Sequence, residues 1–78
     1  MLLKLVTRQG CHLCDEAREG LDRFGLAYEV ADVDTDPDLF RLYDFRVPVL
    51  LAEDGRPVLE GRITEAALAT ALRARHWR

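Results

Sequence analysis

Cysteine is scarce in this sequence: Cys11 and Cys14 are the only two among 78 residues. Two cysteines close one disulfide at most. Spaced C-x-x-C, they close a loop so short that it constrains the unfolded chain little. A secreted disulfide framework is therefore excluded, and chemistry is the better reason for the pair. Long apolar runs are missing too. No stretch approaches the roughly 20 apolar residues of a membrane span. The opening MLLKLV has no basic leader and no apolar stretch of signal-peptide length. The expected compartment is the cytoplasm, a reducing place where structural disulfides are rare. A basic stripe is also lacking. The formal charge is −3, with four basic and nine acidic side chains in residues 1–39 and seven and five in residues 40–78. That argues against nucleic-acid binding. The basic end, RARHWR, reads as cations at a helix C-terminus, where the helix dipole favours them.

What is present is the balance of a soluble globular chain, 49% hydrophobic and 32% charged, with the length of one domain spanning residues 1–78. Leu2, Leu3, Leu5 and Val6 form a short apolar run ended by Gly10, a buried strand and its turn. Leu13, Ala17, Leu21 and Phe24 then mark one face of a helix that Gly25 stops. Residues 27–33 read as a second strand, which makes a βαβ unit with parallel strands. Asp36-Pro37 starts a second helix, Asp as cap and Pro at the first helical position. Leu39, Phe40, Leu42 and Tyr43 are its apolar side. Residues 47–52 form a third strand. Asp54-Gly55 is a hairpin signal, so Val58 and Leu59 belong to an antiparallel fourth strand. Pro57 cannot donate to a ladder and places that strand at an edge. Thr64 caps a last helix whose buried stripe is Ala67, Leu68, Ala71 and Leu72. The order is βαβαββα.

This order, with C-x-x-C after the first strand, resembles the thioredoxin fold. The short length is similar to glutaredoxins. The stretch CHLCDEA resembles small bacterial glutaredoxin-like proteins whose site reads C-x-L-C followed by acidic residues and Ala. The resemblance implies an α/β fold with a four-stranded mixed sheet, order 2-1-3-4, and helices on both faces. It also implies a thiol-disulfide oxidoreductase acting through Cys11 and Cys14.

The placement of the cysteines carries that chemistry. A thiol at the first turn of a helix lies near unpaired N–H groups and the positive dipole end, which favour thiolate. A free cysteine titrates near about 8.5, and such sites lower that value. Cys11 is expected at the exposed helix mouth as the attacking thiol. Cys14, one turn in and more buried, would resolve the mixed disulfide. Asp15 and Glu16 should raise the Cys11 pKa, opposed by Arg8 and the dipole. His12 is a candidate substrate contact, though an exposed loop residue explains it more simply. A zinc ion needs four ligands. His12 lies inside the pair and is poorly aimed, so no metal and no resident cofactor are expected. Two chains sharing a cluster or metal, some glutaredoxins bridging an iron–sulfur cluster with glutathione, stay open as an alternative. So does a binding module without turnover.

The resemblance also supplies a substrate site. Val47-Pro48 falls where the thioredoxin family carries a cis-proline beside the cysteines, and the residue before it, here Val47, offers its backbone to extended substrate. Glutaredoxins hold glutathione with a basic residue three before the first cysteine, a T-V-P and a G-G followed by acids. Arg8 matches the first. Arg46-Val47-Pro48 keeps V-P with Arg for Thr. Glu60-Gly61-Arg62 keeps one glycine. Arg46 and Arg62 would meet glutathione carboxylates. Tyr43-Asp44-Phe45-Arg46 is similar to the Tyr-x-apolar-Arg approach of thioredoxins, but Gly10 stands where thioredoxins have Trp. The expectation is a monomeric dithiol oxidoreductase with weakened glutathione recognition. Its partner would be a disulfide-bearing protein or a glutathione mixed disulfide. A reductase or glutathione would be the electron donor. Asp32, Asp34 and Asp36 have the spacing of calcium-loop ligands. Pro37 and Tyr43 stand where such a loop needs Gly and Glu, so a strand end and helix cap explain them better. Trp77 fits either a packed or an exposed place.

Overall fold

The apolar run becomes strand β1 (Leu3–Thr7), and strand alternation gives it two faces: Leu3 and Leu5 enter one core cluster, Val6 another. The computed structural model describes residues 2–75. Helix α1 (His12–Phe24) ends at Gly25, whose φ of 69° is the left-handed conformation that glycine adopts without strain. Strand β2 (Tyr28–Asp32), a 3-10 turn (Val33–Thr35) and helix α2 (Pro37–Tyr43) follow. Strands β3 (Val49–Leu51) and β4 (Pro57–Glu60) then form a hairpin before helix α3 (Glu65–Arg75).

The sheet order is β2-β1-β3-β4. β1 runs parallel to β2 and antiparallel to β3, and β3 is antiparallel to β4. This is the expected mixed sheet, with β4 and its Pro57 at an edge. One face is covered by α1 and α3: Leu3, Leu5 and Leu50 pack with Ala17, Leu21, Ile63 and Leu68. The other is covered by α2: Val6, Val49 and Leu51 pack with Val33 and Tyr43, and Leu39 leans on them. Gly20 faces α3, where an added Cβ would come within 3.3 Å of Leu68 Cδ1, so its small size sets how closely the two helices approach. Among the described residues no helix is long and apolar enough to cross a membrane.

The expected caps form. Asp36 Oδ1 accepts from the N–H groups of Asp38 and Leu39 at 3.0 and 3.3 Å, and Thr64 Oγ1 accepts from Ala67 N–H at 3.1 Å. In the β3–β4 turn Asp54 Oδ1 accepts from Arg56 N–H, and Gly55 takes a φ of 88°.

Several boundaries and faces differ from expectation. The second strand is shorter than residues 27–33, because Asp32 turns its carboxylate onto Asp34 N–H and starts the 3-10 turn. The third strand covers only Val49–Leu51: Val47 and Pro48 precede it, and Ala52 N–H already bonds to Arg56 across the turn. Phe24, Phe40 and Leu42 are exposed rather than buried. On α1, Cys14 and Gly20 join Ala17 and Leu21 on the buried side, so the stripe lies rotated away from Phe24. On the two-turn α2 there is room for Tyr43 and part of Leu39 alone. Arg73 and Arg75 fall near the end of α3. His76, Trp77 and Arg78 lie outside the described residues, and the expectations about them fall outside too.

Candidate active site

The turn from β1 into α1 is built by Gly10. Cys11 N–H donates to Arg8 carbonyl at 3.2 Å, and Gly10 carries a φ of 78°, the left-handed position of a tight turn. The turn delivers Cys11 to the N-cap of α1, where its sulfur accepts from Cys14 N–H at 3.1 Å. Cys11 is half-buried, and Cys14 is 1% exposed. The two sulfurs form a disulfide with Cα atoms 5.2 Å apart. Although Cys14 is covered, it lines a cavity of about 400 Å³ with Thr7, Arg8, Asp15, Arg18 and Asp32.

A second element lies at the entry to β3. The Val47–Pro48 peptide is cis, Pro48 is fully buried and Val47 half-buried. The β1–β3 register pairs Val6 with Val49, so one step further brings Pro48 opposite Thr7, at the mouth of the cysteine turn. Gly61 closes the same corner, its N–H donating to Pro48 carbonyl at 2.9 Å with a φ of 77°. Val47, Pro48 and Gly61 are therefore gathered near the cysteine turn.

Two of the three candidate substrate cations, Arg8 and Arg46, are engaged by carboxylates. Arg8 does not stand free beside Cys11. Its Nε and Nη2 donate to the two carboxylate oxygens of Asp34 at 3.0 and 2.9 Å. Its Nη1 donates to Asp44 carbonyl at 3.0 Å, and Nη2 also pairs with the Asp44 carboxylate. Its guanidinium carbon lies 5.9 Å from the centre of the Phe40 ring. Arg46 forms a second fork: Nε and Nη2 donate to Glu60 at 2.7 and 2.9 Å, and the guanidinium lies 5.2 Å from the Tyr43 ring. His12 is 86% exposed and pairs with Glu16 at 3.1 Å along its own helix. Arg62 is exposed and, among the described residues, enters no ion pair. Among the described residues no three His, Cys, Asp or Glu side chains cluster as a metal site.

The sequence reading missed Asp34, Asp44 and Glu60 as partners of these arginines. The hydrogen bonds from Arg8 hold the Asp34 carboxyl below the usual carboxylate range, outweighing its desolvation. Those from Arg46 do the same for Glu60. Both groups are depressed in the folded state, so each contribution is full above the unfolded pKa and is lost as pH falls through the lower folded value. In an NMR carboxyl titration Asp34 should therefore show a midpoint below about 3.9 and Glu60 one below about 4.3. Both clamps should stay closed through neutral and mildly acidic pH. Ordinary midpoints for both would mean that the forks do not persist in solution.

A helix-capping C-x-x-C disulfide and a cis-proline, on a mixed four-stranded sheet, mark a thioredoxin-fold domain. The chain belongs to the glutaredoxin-like domain family (DUF836), which matches residues 2–73. It is similar to the solved structure of XcR50 from X. campestris, at 37% identity and a TM-score of 0.82 over 92% of this chain and 96% of that one. It is also similar to Ne2328 from Nitrosomonas europaea, at 29% identity and a TM-score of 0.74 over 87% of this chain and 86% of that one. Thioredoxin 1 from Thermosipho africanus shares the fold at 15% identity, with a TM-score of 0.58 over 99% of this chain and 100% of that one. No curated protein matches the chain.

Proposed function

We propose that the protein is a thiol-disulfide oxidoreductase in which Cys11 attacks and Cys14 resolves. The observation that carries this reading is the asymmetry of the pair: one bonded sulfur is half-open at a helix N-cap and the other is covered beneath it. In the reduced form, the N–H of Cys14 and the helix terminus favour a Cys11 thiolate. With Arg8 engaged by Asp34 and Asp44, that stabilisation rests on the helix rather than on a neighbouring free cation.

The thiolate attacks one sulfur of a substrate disulfide. The substrate S–S bond breaks, a Cys11 mixed disulfide forms and the second substrate sulfur leaves as thiolate. Cys14 then gives up its thiol proton and attacks Cys11 Sγ. The Cys11–Cys14 bond forms, and the remaining substrate sulfur leaves and takes a proton. Two electrons pass from the dithiol to the substrate. A thiol donor, glutathione or a reductase, restores the dithiol, and the cycle suits the cytoplasm. No resident cofactor is needed.

With dithiothreitol as donor, the protein should accelerate reduction of a protein disulfide such as insulin's over the uncatalysed rate. It should also equilibrate with a thiol-disulfide buffer as a two-electron couple. A pair that stays reduced across the buffer range and produces no acceleration would overturn the reading.

A further inference from the structure

Phe45 is 96% exposed, the most open of the large apolar side chains among the described residues. Its setting is constrained on both sides. Asp44 before it is held by Arg8 through carbonyl and carboxylate. Arg46 after it is held by Glu60, and Arg46 N–H donates to Tyr43 carbonyl at 2.9 Å. The ring is thus displayed from a turn fixed at both neighbours. The turn is also tied to the cysteines, because the Arg8 that grips Asp44 accepts the Cys11 N–H on its carbonyl. Two residues after Phe45 the chain enters the cis Val47–Pro48 corner.

The same contacts decide what the rim recognises. Asp34, Asp44 and Glu60 occupy Arg8 and Arg46, so of the three candidate cations Arg62 alone enters no ion pair among the described residues. A compact anion such as glutathione finds two of its three expected cations already forked to carboxylates. Freeing either would leave a carboxylate without its partner. An apolar side chain of a substrate, by contrast, gains a desolvated contact on Phe45 without breaking any of these bonds.

Resting on the exchange reading above, we propose that the substrate disulfide belongs to an extended polypeptide segment with an apolar side chain near its cysteine. Phe45 is the docking residue for that side chain and selects polypeptide over glutathione disulfides.

The test uses a short uncharged synthetic peptide whose disulfide is flanked by Leu, with oxidised glutathione as the competing substrate and dithiothreitol as donor. The full-length protein should prefer the peptide. Phe45→Ser should raise the peptide KM about tenfold with kcat held, lowering the peptide-to-glutathione ratio of kcat/KM by the same factor, and Phe45→Leu should restore most of it. A KM unmoved by Phe45→Ser, or a wild-type preference for oxidised glutathione, would overturn the proposal and leave the exchange reading standing. Calorimetric binding of the same peptide with its disulfide replaced by a thioether separates the two claims. Phe45-dependent binding without any turnover would support docking and overturn exchange.

Discussion

Cys11→Ser should abolish disulfide reduction, whereas Cys14→Ser should stop the cycle one step later, with substrate left covalently on Cys11. The two results differ because the two sulfurs occupy different places on one helix turn. Cys11 caps the helix and is half-open, and serine cannot replace its thiolate: an alkoxide is far too basic to be held by one N–H and a helix terminus. Activity should fall by roughly a thousandfold or more, to the uncatalysed rate. In Cys14→Ser the attacking thiolate is untouched, and Cys14 N–H, a backbone group, still donates to it. The first step should proceed, and a mixed disulfide should accumulate, readable as an added mass that dithiothreitol removes. Slow release by free glutathione would then give residual turnover with small substrates. If both serine variants kept wild-type rates, the pair would have no part in the chemistry. If Cys14→Ser trapped nothing while Cys11→Ser did, the roles would be reversed, against the burial of Cys14.

Local signals in the sequence were reliable where a residue type has one physical use. Asp36-Pro37, Thr64 and Gly25 mark helix ends because caps and left-handed glycines depend on neighbours along the chain alone. Asp54-Gly55 marks the hairpin for the same reason. Local geometry was legible in outline: Cys11 and Cys14 stand at disulfide distance at the start of α1, and the Val47–Pro48 peptide is cis as the family resemblance implied. The arginines were legible as cations but not as occupied ones. Whether Arg8 is free depends on Asp34 and Asp44, far along the chain, and on the β1–β2 and β1–β3 pairings that bring them together. Arg46 was nearer to being readable. In a hairpin turning at Asp54-Gly55, Glu60 lies as far beyond the turn as Val49 lies before it, and the two are paired in the sheet. That register places Glu60 beside the entry to β3, within reach of Arg46. The exposed rings had no such clue. Helical spacing puts Phe24 and Phe40 near an apolar stripe, but which edge of the stripe meets the sheet is set by packing on α3 and by the shortness of α2.

Leu5→Ala should destabilise the fold by about 3 kcal/mol, within the usual 2–5 for a buried Leu. Leu5 sits on β1, one of the two interior strands of the sheet, and is fully buried. It lies opposite Leu50 across the β1–β3 ladder, and both point into the cluster that Ala17, Leu21 and Leu68 supply from α1 and α3. Its removal opens a void bounded by the backbone ladder on one side and two helices on the other. Neither wall can collapse far, because Gly20 already brings α1 close to α3. A domain of this size has little stability to spare, typically toward the low end of about 5–15 kcal/mol. The urea midpoint should therefore fall by a large fraction with the slope unchanged. Leu42→Ala, on the exposed side of α2, should shift it by about 0.5 kcal/mol or less. The consequence reaches the cysteines, since α1 is seated on this cluster and carries both. In the dithiol form of Leu5→Ala, Cys14 should be alkylated faster in proportion to the more frequent opening, while Cys11, already half-open, should change little. A loss below about 1 kcal/mol, or equal acceleration at both thiols, would mean that α1 is held by something other than this cluster.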